Sequence, residues 1–436
     1  MTNGRWKVKK WMYLLVTIVL ALNLAACSAK TQNNEKASKR GSDEKIKLRI
    51  VWWGSQDRHD ATLKVLKLYE EKNPNVTFET EFSGWDGYWD KLATQSAAKN
   101  APDIIQMDAQ YLQEYASRNI LADLSEGIQT ENINQTLLDS GKTKDKLYAL
   151  PLGNNAIGMV YNKSALEKLG SPLPKVGWTW DDLFNLAKEV KPKLEEGKYV
   201  LRDLTYEAGS YEMYQLSKGK GHLTTEKGEF NIDKTTWLEW VGIFEDFREK
   251  GIVPPAEIVV SEQEKDTKRD LLLNGTVLIK QGFAAEFPAY DSVKPDTFAL
   301  VPAPKDKEAG GYLKPSMFWS VSQNSAYKKE AKEFIDFFIN DPKAAELLGI
   351  TRGLPVSEAI LEKMIPSFTE SDKIGLNMIN ETAPTAQTFN GGPKGWGVFV
   401  QNNYKQIGEQ LIFNKLSPKQ AYEELQAKFK ETVESK

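Results

Sequence analysis

The chain has 436 residues, with 57 Lys and Arg against 60 Asp and Glu, a net charge of −3, one Cys and two His. That length suits two or three domains, and a 41% hydrophobic fraction with 18 Phe, 16 Tyr and 12 Trp fills real cores, which excludes wholesale disorder. The charge balance gives no global attraction for nucleic acid, and the Cys and His counts exclude a disulfide framework, a Cys-rich metal centre and a multi-histidine site.

In chain order, Arg5, Lys7, Lys9 and Lys10 precede an uncharged apolar run, Trp11 to Leu22, and then Leu24-Ala25-Ala26-Cys27. This charged, apolar, small order reads as a secretory signal over residues 1–26. The apolar run is shorter than the roughly 20 residues that a permanent membrane span needs. Removing it takes away four basic residues, so 53 face 60 acidic ones and the net charge becomes −7. Residues 28 to 45 are polar and aperiodic, as expected of a flexible tether.

The body alternates strands and helices. Ile46–Trp53 and Val76–Phe82 have the β-branched, alternating character of strands, and Asp103–Met107 is a short, mostly apolar third. Helical spacing begins at Asp60 and stops at Asn73-Pro74, and a second helix runs from Tyr88 to Lys99. This rhythm predicts right-handed parallel crossovers in an open α/β sheet, with ligands beyond the carboxyl ends of the strands. Further strands are expected at Gly158–Asn162, Val277–Ile279, Phe298–Pro302 and Phe318–Val321. Helices are expected at Trp180–Val190, Trp237–Lys250, Lys329–Ile339, 358–365, 371–381, 398–413 and from 418 onward.

Two resemblances rest on these residues. Leu24–Cys27 resembles the lipobox of bacterial lipoproteins, which implies lipidation of Cys27 and anchoring on the outer face of a cell membrane, in an envelope of Gram-positive type. The second lies in the order of Trp52-Trp53-Gly54, Pro102–Ile105, Leu147–Pro151, Tyr161-Asn162-Lys163, Trp178–Asp182 and Ala331–Phe334. It resembles extracellular solute-binding proteins that feed oligosaccharides to ABC importers, the maltodextrin-binding proteins among them. The resemblance implies an α/β, two-lobed periplasmic-binding-protein-like fold of type II, with the ligand cleft between discontinuous lobes. The expected division is 46–150 plus about 302–340 against 151–301 plus about 341–436, with chain crossings near Leu150, near Val301 and after Ile339. The implied partners are an oligosaccharide and the transmembrane subunits of a permease, with ATPase subunits on other chains. A monomer without cofactor is expected, and without nucleic-acid partners.

A sugar offers an apolar C–H face and a rim of hydroxyls, which call for flat aromatic rings and for planar carboxylate, amide or guanidinium groups. Trp53 ends the first strand, Trp85 lies in a Gly-flanked loop, and Trp396 lies in Gly391–Gly397, the most glycine-rich stretch. A Trp among glycines has few local partners, so Trp85 and Trp396 are expected as exposed stacking platforms, and the resemblance also favours Trp396. Trp319 belongs either to the pocket or to the hinge core. Asp108 either bonds sugar hydroxyls or caps a helix. Asn154 and Asn155 either bond sugar or tolerate a left-handed turn. Glu207 matches a stretch that supplies ligand contacts in relatives. Gln56, Arg58 and Arg352 complete the candidates, and Arg352 could instead form an ion pair. His59 reads as a surface or capping residue.

Part of the N-terminal third, Trp52 to Asp60 and Trp85 to Trp89, is similar to binders of pectin-derived, rhamnogalacturonan-type oligosaccharides. Their uronate would give Arg58 or Arg352 a charge partner. No enzyme is expected: the sequence holds no Gly-x-Ser-x-Gly elbow, Cys/His dyad, phosphate-cradling loop or His-Glu-x-x-His run. A secreted glycosidase-like enzyme and an adhesion or scaffold lipoprotein are the alternatives.

Overall fold

The computed structural model describes residues 45–434 except 86, 226, 263–267 and 388. The signal segment, Cys27 and nearly all of the tether lie outside the described residues. From Lys45 onward the chain forms one contact unit, built on strands β1 (Ile46–Trp53), β2 (Val76–Ser83), β3 (Ile104–Met107), β4 (Leu150–Pro151), β5 (Asn154–Asn162), β6 (Tyr199–Leu201), β7 (Val277–Phe283), β8 (Phe298–Pro302), β9 (Leu313–Pro315) and β10 (Phe318–Val321).

The first sheet has the order β2-β1-β3-β10-β4. β1 runs parallel to β2, from Ile46 opposite Val76 to Trp53 opposite Ser83, and parallel to β3 at Ile50 opposite Ile104. The expected parallel crossovers are therefore present over the first three strands. β10 returns antiparallel to β3. Helix α1 (Gln56–Lys72) links β1 to β2 and begins at Gln56, earlier than Asp60, because extended Ser55 occupies its N-cap and Asp57 sits in its first turn. Helix α2 (Tyr88–Ala97) links β2 to β3, and α3 (Ala109–Ser117) follows β3.

In the second sheet, the order is β8-β5-β7-β6, with β9 also paired to β5. Here β5, β7 and β8 are antiparallel neighbours. A helix over Trp180–Val190 covers this sheet, and its start is a full capping box in which Thr179 and Asp182 exchange hydrogen bonds. Each sheet has its own apolar core. One gathers Leu48, Ile50, Ile104, Phe318 and Phe334, and the other gathers Met159, Leu183, Trp240 and Phe244.

The chain passes between the sheets at three places. Leu152-Gly153 joins β4 to β5, Ser316-Met317 joins β9 to β10, and Arg352-Gly353 returns after the helices that follow β10. The passage expected near Val301 is thus displaced. Val301 is internal to β8, paired with Met159 of β5, and its buried side chain belongs to the second core. Phe298–Pro302 and Leu313–Pro315 both pair with β5 before the chain leaves, so the first-sheet segment begins at 317 and not at 302.

The three passages are pressed together. Leu152 N donates to Met317 O at 2.9 Å, Ser316 N to Gly153 O at 2.9 Å, and Asn154 N to Leu354 O at 2.8 Å. A Cβ on Gly153 would lie 1.7 Å from the Arg352 carbonyl oxygen, and Gly353 combines φ +92° with only 2.5 Å to Ser316 Oγ. Neither position has room for a side chain, and Gly353 has a backbone that L-residues avoid. Replacing Gly153 by Ala must push backbone apart, so Gly153→Ala is expected to lose about 3 kcal/mol or more in a denaturant titration. Gly242, whose Cβ position is open, should tolerate the same change with a loss below about 1 kcal/mol.

Candidate functional site

The carboxyl ends of β1, β2 and β3 carry an aromatic cluster. The Trp53 ring lies 5.1 Å from Trp85, 5.0 Å from Tyr88 and 5.5 Å from Trp89, centroid to centroid. Trp89 stacks on Tyr111 of α3 at 3.8 Å, and Trp85 is 6.4 Å from the same ring. Trp53 is buried, whereas Trp85 remains 41% exposed. The cluster thus works as a supported platform: buried rings fix the position of an indole that stays open to solvent, at little further entropic cost.

This cluster reaches the second-sheet side of the molecule. A Cβ on Gly391 would come within 2.8 Å of the Ala109 carbonyl oxygen, and one on Gly397 within 3.0 Å of Gln110 Oε1 and 3.8 Å of Tyr111 Cζ. Close approach to the start of α3 is what the glycines of 391–397 permit. Between the two sides lies a cavity of about 630 Å³, walled by Leu112 and Gln113 from α3, Lys142 and Lys144, and Phe389 and Asn390 from the other side. That size accommodates a ligand of several sugar rings.

Trp396 departs from the expectation of an exposed platform. It is only 8% exposed and stacks on Phe399 at 5.5 Å, with Phe429 at 6.3 Å. Its own loop folds over it, since a Cβ on Gly392 would lie 2.1 Å from its Cδ1. Phe399, one helical turn on, and Phe429, distant in sequence, supply the packing that its glycine neighbours cannot. Trp319 resolves to the core: it is fully buried in β10, paired with Gln106 and Leu150, with Phe338 edge-on at 5.6 Å.

Among the polar candidates, Asp108 caps α3, its Oδ1 accepting from Gln110 N at 2.9 Å. Asn155 Oδ1 accepts from Ala156 N and Ala285 N, so it ties the first passage to a neighbouring turn. Asn154 is in extended β5 backbone, not in a left-handed turn, and its buried Oδ1 has no partner among the described residues. Gln56 is exposed and donates to Asp60 at 2.8 Å. Arg58 donates from Nε to Thr351 O at 3.0 Å and from Nη1 to Trp53 O at 3.4 Å, which places it between β1 and the third passage. Arg352 is almost wholly buried and forms no ion pair among the described residues; its Nη2 donates to Thr62 Oγ1 at 2.9 Å and Gln106 Oε1 at 3.2 Å.

Glu207 stands apart, before the helix Ala208–Ser217. It accepts from Arg202 Nη1 at 2.6 Å, and Arg202 also donates to Tyr206 Oη at 2.7 Å and to Glu262. These groups, with Gln281, Gln401 and Lys405, wall a polar cavity of about 480 Å³. The structure therefore brings Trp53, Trp85, Arg58 and Asp108 to one end of the first sheet and places Glu207 in the second lobe. Sequence reasoning missed Trp89, Tyr111 and Gln281. The Tyr88-Trp89 pair so close to Trp85 was the available signal for the first, while Gln281 lies in an apolar strand with no local mark.

A model of bacterial extracellular solute-binding proteins matches residues 64–375, and the chain belongs to that family. The multiple sugar-binding protein of Streptococcus mutans is 27% identical over 194 residues, 44% of this chain and 43% of that protein, so the match spans under half of that relative's length. The galactooligosaccharide-binding protein of Bacillus subtilis is 20% identical over 272 residues, 61% of each chain. Among solved structures, an extracellular solute-binding protein of family 1 from Alicyclobacillus acidocaldarius superposes with a TM-score of 0.72 at 25% identity, over 90% of this chain and 99% of that one. A periplasmic oligogalacturonide-binding protein from Yersinia enterocolitica, in complex with saturated digalacturonic acid, gives 0.76 at 22% identity over the same shares. The fold is the two-lobed α/β fold of solute-binding proteins, as expected.

His59 corrects its surface reading. It is buried on α1, and its Nδ1 accepts from Trp52 Nε1 at 3.0 Å. Burial, with the charges of Arg58 and Arg352 nearby, pushes its pKa below the ordinary 6.5. A folded-state pKa below the unfolded value means that the unfolded chain gains protons first, so stability is lost as pH falls below about 6.5. NMR of the imidazole ring should show the His59 titration midpoint below that of a free histidine; a midpoint at or above 6.5 contradicts this.

Proposed function

We propose that this protein is the sugar-binding component of an ABC importer, capturing an oligosaccharide between its lobes and presenting it, chemically unchanged, to the transmembrane subunits of a permease. The ATPase subunits belong to other chains. The observation that carries the reading is the half-exposed Trp85 indole held by Trp53, Trp89 and Tyr111, together with a cavity walled on one side by the helix that carries Tyr111 and on the other by Phe389 to Gly392. A supported indole suits the C–H face of a pyranose, and the rim of amides, carboxylates and lysines suits its hydroxyls. Capture follows from differential affinity: sugar touching both sides favours the closed arrangement, and the hinge lies at the three passages. Family membership and sugar-binding relatives support this reading.

The ligand class we favour is a pectin-derived, uronate-bearing oligosaccharide. Arg58 lies at the carboxyl end of β1 with no carboxylate partner among the described residues, so a uronate arriving there would gain a charged donor. The Yersinia enterocolitica structure, which holds digalacturonic acid, supports this choice. Anchoring through a lipidated Cys27, on the outer face of a Gram-positive membrane, completes the proposal. One thioether-linked lipid alone holds weakly, whereas two or more acyl chains hold firmly. The protein is proposed to act as a monomer.

Isothermal titration of the full chain with oligogalacturonides and with neutral xylo-, gluco- and galacto-oligosaccharides tests ligand class. Uronate chains are expected to bind at least tenfold more tightly, about 1.4 kcal/mol; a preference for neutral chains removes the uronate. Release of reducing ends during incubation would contradict delivery of unchanged sugar. Trp85→Ala should weaken binding at least tenfold at a cost of about 1–2 kcal/mol in unfolding free energy, because the ring is only partly covered. Trp396→Ala should instead cost about 3–5 kcal/mol of stability, as expected for a packed indole.

A further inference from the structure

The guanidinium of Arg352 sits in a place that ordinarily demands a counter-charge. The residue is 3% exposed, and its Nε and Nη1 have no hydrogen-bond partner among the described residues. Its group lies between two rings, 5.5 Å from Trp319 and 5.3 Å from Phe338. The charge that acts on it is that of Arg58, of the same sign, which adds to burial in opposing the cation. Arginine does not escape burial by losing its proton, so the positive charge stays. Ring faces offset part of its desolvation cost, yet they accept no N–H hydrogen bonds of ordinary strength.

Beside it is a cavity of about 30 Å³, room for one or two water-sized occupants, at the third passage between the sheets. Its wall is apolar, formed by Leu152, Phe338, Leu348, Val356 and Ile360, and Arg352 is its one charged residue. We propose that Arg352 binds a small monovalent anion of the chloride class at this passage, donating hydrogen bonds to it from Nε and Nη1. An apolar wall disfavours a strongly hydrated divalent anion, and the volume excludes an organic one. The site is separate from the sugar groove: no residue of its wall belongs to the aromatic cluster around Trp85 or to the larger cavities. Its occupant would neutralise a charge held where the three backbone passages meet, and so stabilise the junction on which both lobes turn.

The test is thermal unfolding of the full chain at constant ionic strength, exchanging sodium gluconate for sodium chloride up to about 0.2 M, together with a crystal soaked in sodium bromide. The unfolding midpoint is expected to rise by about 1–3 °C with chloride and then saturate. Arg352→Met should abolish that response, and an anomalous bromide peak should lie within hydrogen-bond distance of Nε or Nη1. Equal midpoints in the two salts overturn the proposal, as does a chloride response that survives Arg352→Met. If that variant does not fold, the bromide peak in the unmutated protein decides: an ordered water or empty density at the guanidinium overturns it. Neither readout involves sugar, so failure here leaves the sugar-binding reading standing.

Discussion

Backbone-to-backbone contact at the three passages is the constraint on which the two lobes depend. Gly153 lies against the Arg352 carbonyl, so the first and third crossings meet without side chains between them, while Gly353 lies against the Ser316 hydroxyl of the second. Hydrogen bonds from Leu152, Ser316 and Asn154 hold the crossings in register. Sliding one sheet past the other at this junction would break several backbone hydrogen bonds at once. Away from that junction the two sides meet again, where Gly391 and Gly397 lie close to Ala109, Gln110 and Tyr111 at the start of α3.

The binding surface proposed here would combine two kinds of rigidity. On the first lobe, aromatic rings lean on one another, so the exposed indole is preorganised by buried neighbours. The second lobe holds polar groups through charge: Arg202 is fully buried and fixes Glu207 and Tyr206 together, and Ser210 donates to Gln281 at 2.6 Å. A sugar needs both, a flat apolar face and groups already aimed at its hydroxyls, because loose polar side chains give back in entropy what each hydrogen bond contributes.

Local pattern carried much of the fold. β1 and β2 were legible from β-branched alternation, and the helix from Trp180 from the acidic residues of its first turn, since both signals live within a few residues. The crossing near Val301 was not legible: Phe298–Pro302 looks like any apolar strand, and only its pairing with β5 tells which sheet holds it. The site divided along the same line. Trp53 and Trp85 were readable as strand-end and loop aromatics near the carboxyl edge. Trp396 misled because its glycine neighbours serve a close approach to Ala109 and Thr432, while its packing comes from Phe399 and Phe429, the second of them more than thirty residues away. Arg352 read either as a fork for a sugar hydroxyl or carboxylate or as one half of an ion pair, and is instead buried between two rings contributed by β10 and the helix after it.

The central claim is that sugar is held between the lobes against the Trp85 indole. A crystal structure of the protein grown with saturating oligogalacturonide tests it most directly. The account predicts a pyranose ring stacked on Trp85 with hydroxyls bonded to groups of both lobes. Saccharide density on an outer face, or a filled groove in which Trp85 touches nothing, would contradict it.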